Sequence, residues 1–156
     1  MKKSSRHQKI TGDFAEGLVL YWLSKSGYEC ARVDHTGIDL IAADKSGKKR
    51  IGISVQGRSR YVGTEKANVN LHEFEKARAA CKAFKCIPYS AIVVDGGDIL
   101  RCFLLPLDHL EKIATGKTGK QRYWLMSDKF LAKCYKDRKI QRFELIIKNS
   151  HWQEIT

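Results

Sequence analysis

Four residues carry the chemistry legible in this chain: Glu16, Asp39, Gln56 and Arg58. Asp39 stands in the run Thr36-Gly37-Ile38-Asp39-Leu40-Ile41-Ala42, a single carboxylate inside an otherwise apolar strand. Aspartate is a poor strand former and costly to bury, so a metal ion or a strong hydrogen-bond network must compensate it there. The run Ser54-Val55-Gln56-Gly57-Arg58-Ser59-Arg60 follows. As a strand it turns Ile51, Ile53 and Val55 one way and Ser54, Gln56 and Arg58 the other. A hairpin between the two strands sets Asp39 beside Gln56 or its neighbours. Glu16 borders a helical apolar face made by Val19, Leu20 and Leu23, and joins them if that helix packs on the sheet. Two carboxylates meeting an amide and a guanidinium make a candidate Mg²⁺ and phosphate site. Magnesium takes hard oxygen ligands, usually one or two carboxylates with waters and substrate phosphate. It would polarise a phosphoryl oxygen and acidify an attacking water, while Arg58 would stabilise the charge developing on phosphorus. The plainer alternatives are a buried aspartate satisfied by backbone amides or a lysine, a helix-flank glutamate, and an edge strand whose solvent side carries Gln56 and Arg58.

The elements that must position these residues can be read along the chain. Apolar residues at 3.6 spacing predict a helix over 12–26, closed by Gly27 in a left-handed C′ position. Short strands are expected over 28–33, 38–43 and 51–58, with 45–48 as the hairpin turn. A second helix is expected over 70–85, capped by Asn70 with Glu73 completing a capping box. The continuous apolar run 91–94 predicts a strand over 90–95 buried on both faces, as a central or parallel strand is. A strand over 99–105, a helix over 106–114, a basic loop over 116–122, a helix over 127–136 and a strand over 142–148 complete the series. Tyr123, Trp124 and Trp152 are candidate base-stacking residues, with core packing as the alternative. No histidine is assigned a catalytic role.

With 156 residues, the chain makes one domain with a core of its own; 43% apolar and 10% aromatic residues exclude a disordered chain. Lys and Arg number 29 against 17 Asp and Glu, a net charge of +12 that suggests a polyanionic partner, most often nucleic acid. Residues 1–10 carry Lys2, Lys3, Arg6 and Lys9 without an acid and are expected to be a flexible basic arm ahead of a domain over 11–156. Basic residues also flank the strand pair, Arg58, Arg60 and Lys66 among them. The five cysteines form no CxxC pair and no zinc-type spacing, and read as core residues. Their odd number and the absence of a signal peptide predict a reducing, cytoplasmic setting. No apolar run has the length of a membrane span.

The segment 12–60 resembles the PD-(D/E)XK, or restriction-endonuclease-like, nuclease superfamily, above all its small resolvase-like members. The matching elements are Gly12-Asp13-Phe14-Ala15-Glu16, then Leu23 to Gly27-Tyr28, then Gly37-Ile38-Asp39-Leu40-Ile41. The resemblance implies an α/β fold with an αβββαβ core, a central mixed sheet flanked by helices. It implies a nuclease hydrolysing DNA phosphodiester bonds with Mg²⁺ or Mn²⁺, and a homodimer as a candidate assembly. Glu16, Asp39 and Gln56 would hold the metal, Arg58 the scissile phosphate, and Arg58, Arg60 and Lys66 the nucleic acid. The last motif, (E/Q)-x-K, departs from the pattern and admits two registers. Gln56-Gly57-Arg58 keeps a metal-compatible oxygen and a cation, and is preferred. Ser54-Val55-Gln56 keeps neither the acid nor the lysine. Arginine does not deprotonate and so cannot be the general base. The alternative function is a nuclease-fold binding or assembly module without catalysis.

Overall fold

Ala15, Val19 and Leu23 recur at helical spacing and are all buried, which anchors helix α1 (His7–Lys25). The helix starts five residues before the expected position 12 and takes in residues 7–10 of the basic segment. Gly27, at φ +87°, follows its C-terminus. The computed structural model describes residues 3–61, 63–116 and 121–147. Ahead of the helix, the Lys3 ammonium donates to the Ser59 carbonyl at 2.7 Å and lies 4.1 Å over the Tyr61 ring.

Strands β1 (Glu29–His35), β2 (Ile38–Ala43) and β3 (Arg50–Ser59) form an antiparallel meander. Its second turn is tied by the Asp44 carboxylate, which accepts from Ser46 Oγ and the Lys49 amide. Strand β4 (Val69–Leu71) precedes α2 (Phe74–Ala83), and the chain returns as β5 (Ile87–Asp95) parallel to β3. Strand β6 (Ile99–Pro106), α3 (Leu107–Ile113), β7 (Arg122–Trp124), α4 (Asp128–Lys136) and β8 (Gln141–Ile146) follow. The main sheet runs β1-β2-β3-β5-β6-β8, with β3 and β5 its central, parallel pair; β4 and β7 form a small second sheet. The central strand expected from residues 91–94 is therefore β5, extended three residues toward its N-terminus.

Two elements differ from the sequence expectation for one reason. Residues 69–71 pair with 122–124, so Asn70 lies opposite Tyr123 in a strand and does not cap α2. The helix starts at Phe74, preceded by Glu73 in the left-handed region at φ 66°. The same ladder turns the end of the expected basic loop into β7; residues 117–120 of that loop lie outside the described residues. Trp124 is fully buried and packs its ring 4.9 Å from Phe103 and 5.0 Å from Phe130, which makes it core. Trp152 lies outside the described residues.

The sheet separates two apolar layers. Ala15, Val19 and Leu23 of α1 pack with Leu40, Ile51, Ile53, Ala91 and Val93 on one face. On the other, Ala77, Ala80 and Cys81 of α2 pack with Ile38, Ile92, Val94 and Phe103, joined by residues of α3 and α4. Gly57 lets α1 approach β3: a Cβ there would lie 2.8 Å from the Thr11 carbonyl oxygen and 2.9 Å from the Ala15 methyl. At this crossing α1 brings Glu16 toward the sheet.

Candidate functional site

The site lies where β2 and β3 part. Their ladder ends at Leu40 opposite Ile53, and one step further the Asp39 carboxylate replaces the ladder by accepting the Val55 amide at 2.6 Å. That bond fixes the carboxylate beside β3. The register puts Ser54 and then Gln56 on the same strand face as the nearest polar side chains of β3. Gly37, at φ +104°, lets the chain enter β2 directly beneath the first turn of α2: a Cβ there would lie 2.5 Å from the Lys76 carbonyl carbon and oxygen. The two helices thus meet the start of β2 from opposite sides, α1 with Glu16 and α2 with Glu73 just ahead of it.

Burial raises the Asp39 carboxyl above the ordinary range; the Val55 amide partly offsets this and the charge of Glu73 adds to it. Glu16 is also raised, by burial first and then by Asp39, with Arg32 opposing. The Arg32 guanidinium stands 3.8 Å from Glu16 and holds it loosely. Glu16 thus carries the charge of Asp39, and Asp39 that of Glu73, a burden that a bound cation would relieve.

Gln56 is 7% exposed, and its Oε1 is buried without a hydrogen-bond partner. An orphaned amide oxygen in a buried position costs about 1–3 kcal/mol. Amide and carboxylate oxygens are the hard donors that Mg²⁺ or Mn²⁺ takes. The burial of Gln56 also removes the alternative of a solvent-facing edge strand, since β3 lies between β2 and β5. Among the described residues no group of three His, Cys, Asp or Glu side chains is arranged to hold a metal.

The cations are placed differently. The Arg58 guanidinium donates to the Gly57 carbonyl at 2.7 Å and to the Asn70 carbonyl at 3.5 Å, toward β4. Arg60 donates to the carbonyls of Ala67 and Asn68, each at 2.8 Å. Lys66 pairs with Asp128 at 2.6 Å, both largely exposed. Arg58 and Arg60 are side by side: burial, and then the charge of Arg58, lowers the Arg60 pKa. Arg58 borders an open cleft of about 630 Å³ whose lining also includes Asn70, His72, Glu73 and Arg122. Sequence reasoning missed Glu73 as a neighbour of Asp39 and Ser54 as its nearest cross-strand side chain. The second register contained Ser54, but nothing in the sequence indicates that Glu73 adopts a left-handed conformation.

Two consequences are measurable. A raised carboxyl in the folded state binds its proton more tightly than in the unfolded chain. Stability is therefore fully present below the ordinary value of 4.5 for Glu16 and is lost as pH rises through the raised folded value. Glu16→Gln should melt above the wild type at neutral pH, with the difference closing as pH falls below about 4; an equal difference at both pH values would contradict the raised carboxyl. Gln56→Leu keeps the volume and removes the orphan oxygen. It should raise the metal-free urea midpoint by the equivalent of about 1–2 kcal/mol while abolishing any thermal shift with Mg²⁺.

The chain has the restriction-endonuclease-like fold, a mixed sheet of six strands flanked by helices. Archaeoglobus fulgidus Hjc, a Holliday junction resolvase from an archaeal hyperthermophile, shares it with a TM-score of 0.55 at 17% identity, over 78% of this chain and 88% of that one. A bacterial homing endonuclease overlays with a TM-score of 0.46 at 14% identity, over 78% of this chain and 80% of that one. No family model and no curated protein matches the sequence. No described helix is long and apolar enough to cross a membrane.

Proposed function

We propose that the protein is a divalent-metal-dependent nuclease that hydrolyses DNA phosphodiester bonds. The observation that carries this is the pair of carboxylates Glu16 and Asp39, both raised by burial and by neighbouring negative charge, on a sheet whose strand β3 also holds the orphaned Gln56 Oε1. Glu16, Asp39 and Gln56 would hold Mg²⁺ or Mn²⁺. The ion, when bound, supplies a Lewis acid for the phosphoryl oxygen and an acidified water. Asp39 is oriented for this by the Val55 amide, and the half-buried Glu16 leaves the site open to substrate and water. Arg58 and Arg60, on the rim toward β4, supply positive charge for the nucleic-acid backbone, with Lys66 further out. Arg58 would have to leave the Asn70 carbonyl to reach a scissile phosphate.

That commitment of Arg58 favours a second reading, a nuclease-fold module that binds DNA without cutting it. The two are separated by incubating plasmid, linear, single-stranded and branched DNA with the protein and Mg²⁺ or Mn²⁺. Metal-dependent cleavage, lost on chelation, supports the nuclease. Binding that weakens steeply with salt and leaves every substrate intact supports the module. Absence of DNA binding at low salt removes both.

A further inference from the structure

Cys81 and Cys86 lie outside the site, one in the last turn of α2 and the other just beyond it. The Cys86 amide donates to the Cys81 carbonyl at 2.8 Å across a turn in which Lys85 takes φ 53°. This six-residue closure is the helix-terminating motif that brings the third-last helical residue against the second residue beyond the helix. Standard bond lengths then hold the two Cα atoms no more than about 6.7 Å apart, inside the range a disulfide spans. Both side chains converge on one point over β3: the Cβ position of Gly52 is 2.7 Å from Cys81 Sγ and 3.3 Å from Cys86 Cβ. The absence of a side chain at Gly52 leaves room for both; in the reduced protein Cys81 Sγ donates to the Gly52 carbonyl and Cys86 Sγ to the Phe84 carbonyl.

We propose that Cys81 and Cys86 are a peroxide-sensitive pair that closes to a disulfide, fastening the end of α2 to the start of β5. Cys86 is partly exposed and Cys81 buried, so Cys86 meets the oxidant. Its thiolate attacks hydrogen peroxide, the O–O bond breaks, and a sulfenic acid and hydroxide result. The Cys81 thiolate then attacks that sulfur, the S–S bond forms, the S–O bond breaks and hydroxide leaves. With the two thiol protons, each peroxide yields one disulfide and two waters. Burial raises both thiols, Cys81 to about 11, while the charge of Arg50 draws Cys86 back. Cys102 and Cys134 are buried, with pKa values raised to about 12 and about 11, and are not expected to compete.

The test treats the full chain with hydrogen peroxide, alkylates the remaining thiols and digests with trypsin without reduction. Trypsin cuts between the two cysteines, after Lys82 and Lys85, so the fragments 79–82 and 86–101 should remain joined and separate on reduction. The monomer should lose the mass of two hydrogens and two alkylatable thiols. In Cys81→Ser the Cys86 sulfenic acid should persist and be trapped by dimedone; in Cys86→Ser, at a part-exposed position, the thiol count should not fall. Recovery of Cys81 fully alkylated beside an over-oxidised Cys86, or a cross-link only between molecules, would overturn the proposal.

Discussion

Replacing Asp39 by Asn should lower metal-dependent DNA cleavage by at least about a thousandfold while leaving the protein folded. A bound metal contributes several kcal/mol by polarising the phosphoryl oxygen and acidifying a water, and about 1.4 kcal/mol corresponds to a factor of ten in rate. Asn keeps an oxygen able to accept the Val55 amide, which Asp39 takes at 2.6 Å, and removes the charge that burial and Glu73 make costly. The metal-free variant should therefore melt at or above the wild-type temperature and show no upward shift on adding Mg²⁺. Asp39→Ala should lose the same activity but also stability, by about 1–3 kcal/mol, because the Val55 amide is left without its acceptor. Plasmid nicking rates and thermal melts with and without Mg²⁺ measure both effects. Asp39→Asn cleaving at the wild-type rate would sink the assignment of Asp39 to the metal.

Gly37→Ala should be among the most destabilising single substitutions in the chain. The residue sits at φ +104°, where an L side chain is strained whatever the space around it, and its Cβ would lie 2.5 Å from the Lys76 backbone and 2.9 Å from the Ala77 amide nitrogen. Left-handed strain and overpacking each cost about 1–3 kcal/mol. Neither can relax cheaply, since the atoms met are helix backbone rather than a flexible side-chain tip. A combined loss of about 3–5 kcal/mol is a large share of the stability of a domain this size. It should lower the melting temperature by about 10 °C, at about 2–4 °C per kcal/mol. Cleavage should fall with it, because the first turn of α2 would be pushed away from Asp39. A melting temperature within about 2 °C of wild type would show that α2 is not seated on Gly37.

The meander was legible in the sequence because its signals are local. The apolar alternation of Ile51, Ile53 and Val55 against Ser54, Gln56 and Arg58 needs only the two-residue period of a strand, and the turn at 45–48 lies between the strands it joins. The start of α2 was misplaced because Asn70 and Glu73 satisfy a capping-box pattern that their strand pairing overrides. A three-residue strand such as β4, whose partner at 122–124 lies some fifty residues on, has no period to detect. The two registers of the last motif also could not be separated by alternation, since both put their residues on one face. What alternation does not report is the pairing: the ladder, continued past Leu40 and Ile53, sets Ser54 opposite Asp39, while Arg58 spends its guanidinium on the Gly57 and Asn70 carbonyls.

By itself the sequence determined the αβββαβ order, the apolar strand interrupted by Asp39, and the opposite faces of β3, because periodicity, turn chemistry and the cost of a strand carboxylate act over a few residues. Only the tertiary structure decided that Asp39 raises Glu16 and Glu73 raises Asp39, that Gln56 Oε1 is buried without a partner, and that Arg58 is drawn aside. Those are through-space effects between α1, β2, β3 and the segment before α2. Coulombic interaction and desolvation depend on distance and on what excludes water, and neither is written in residue spacing.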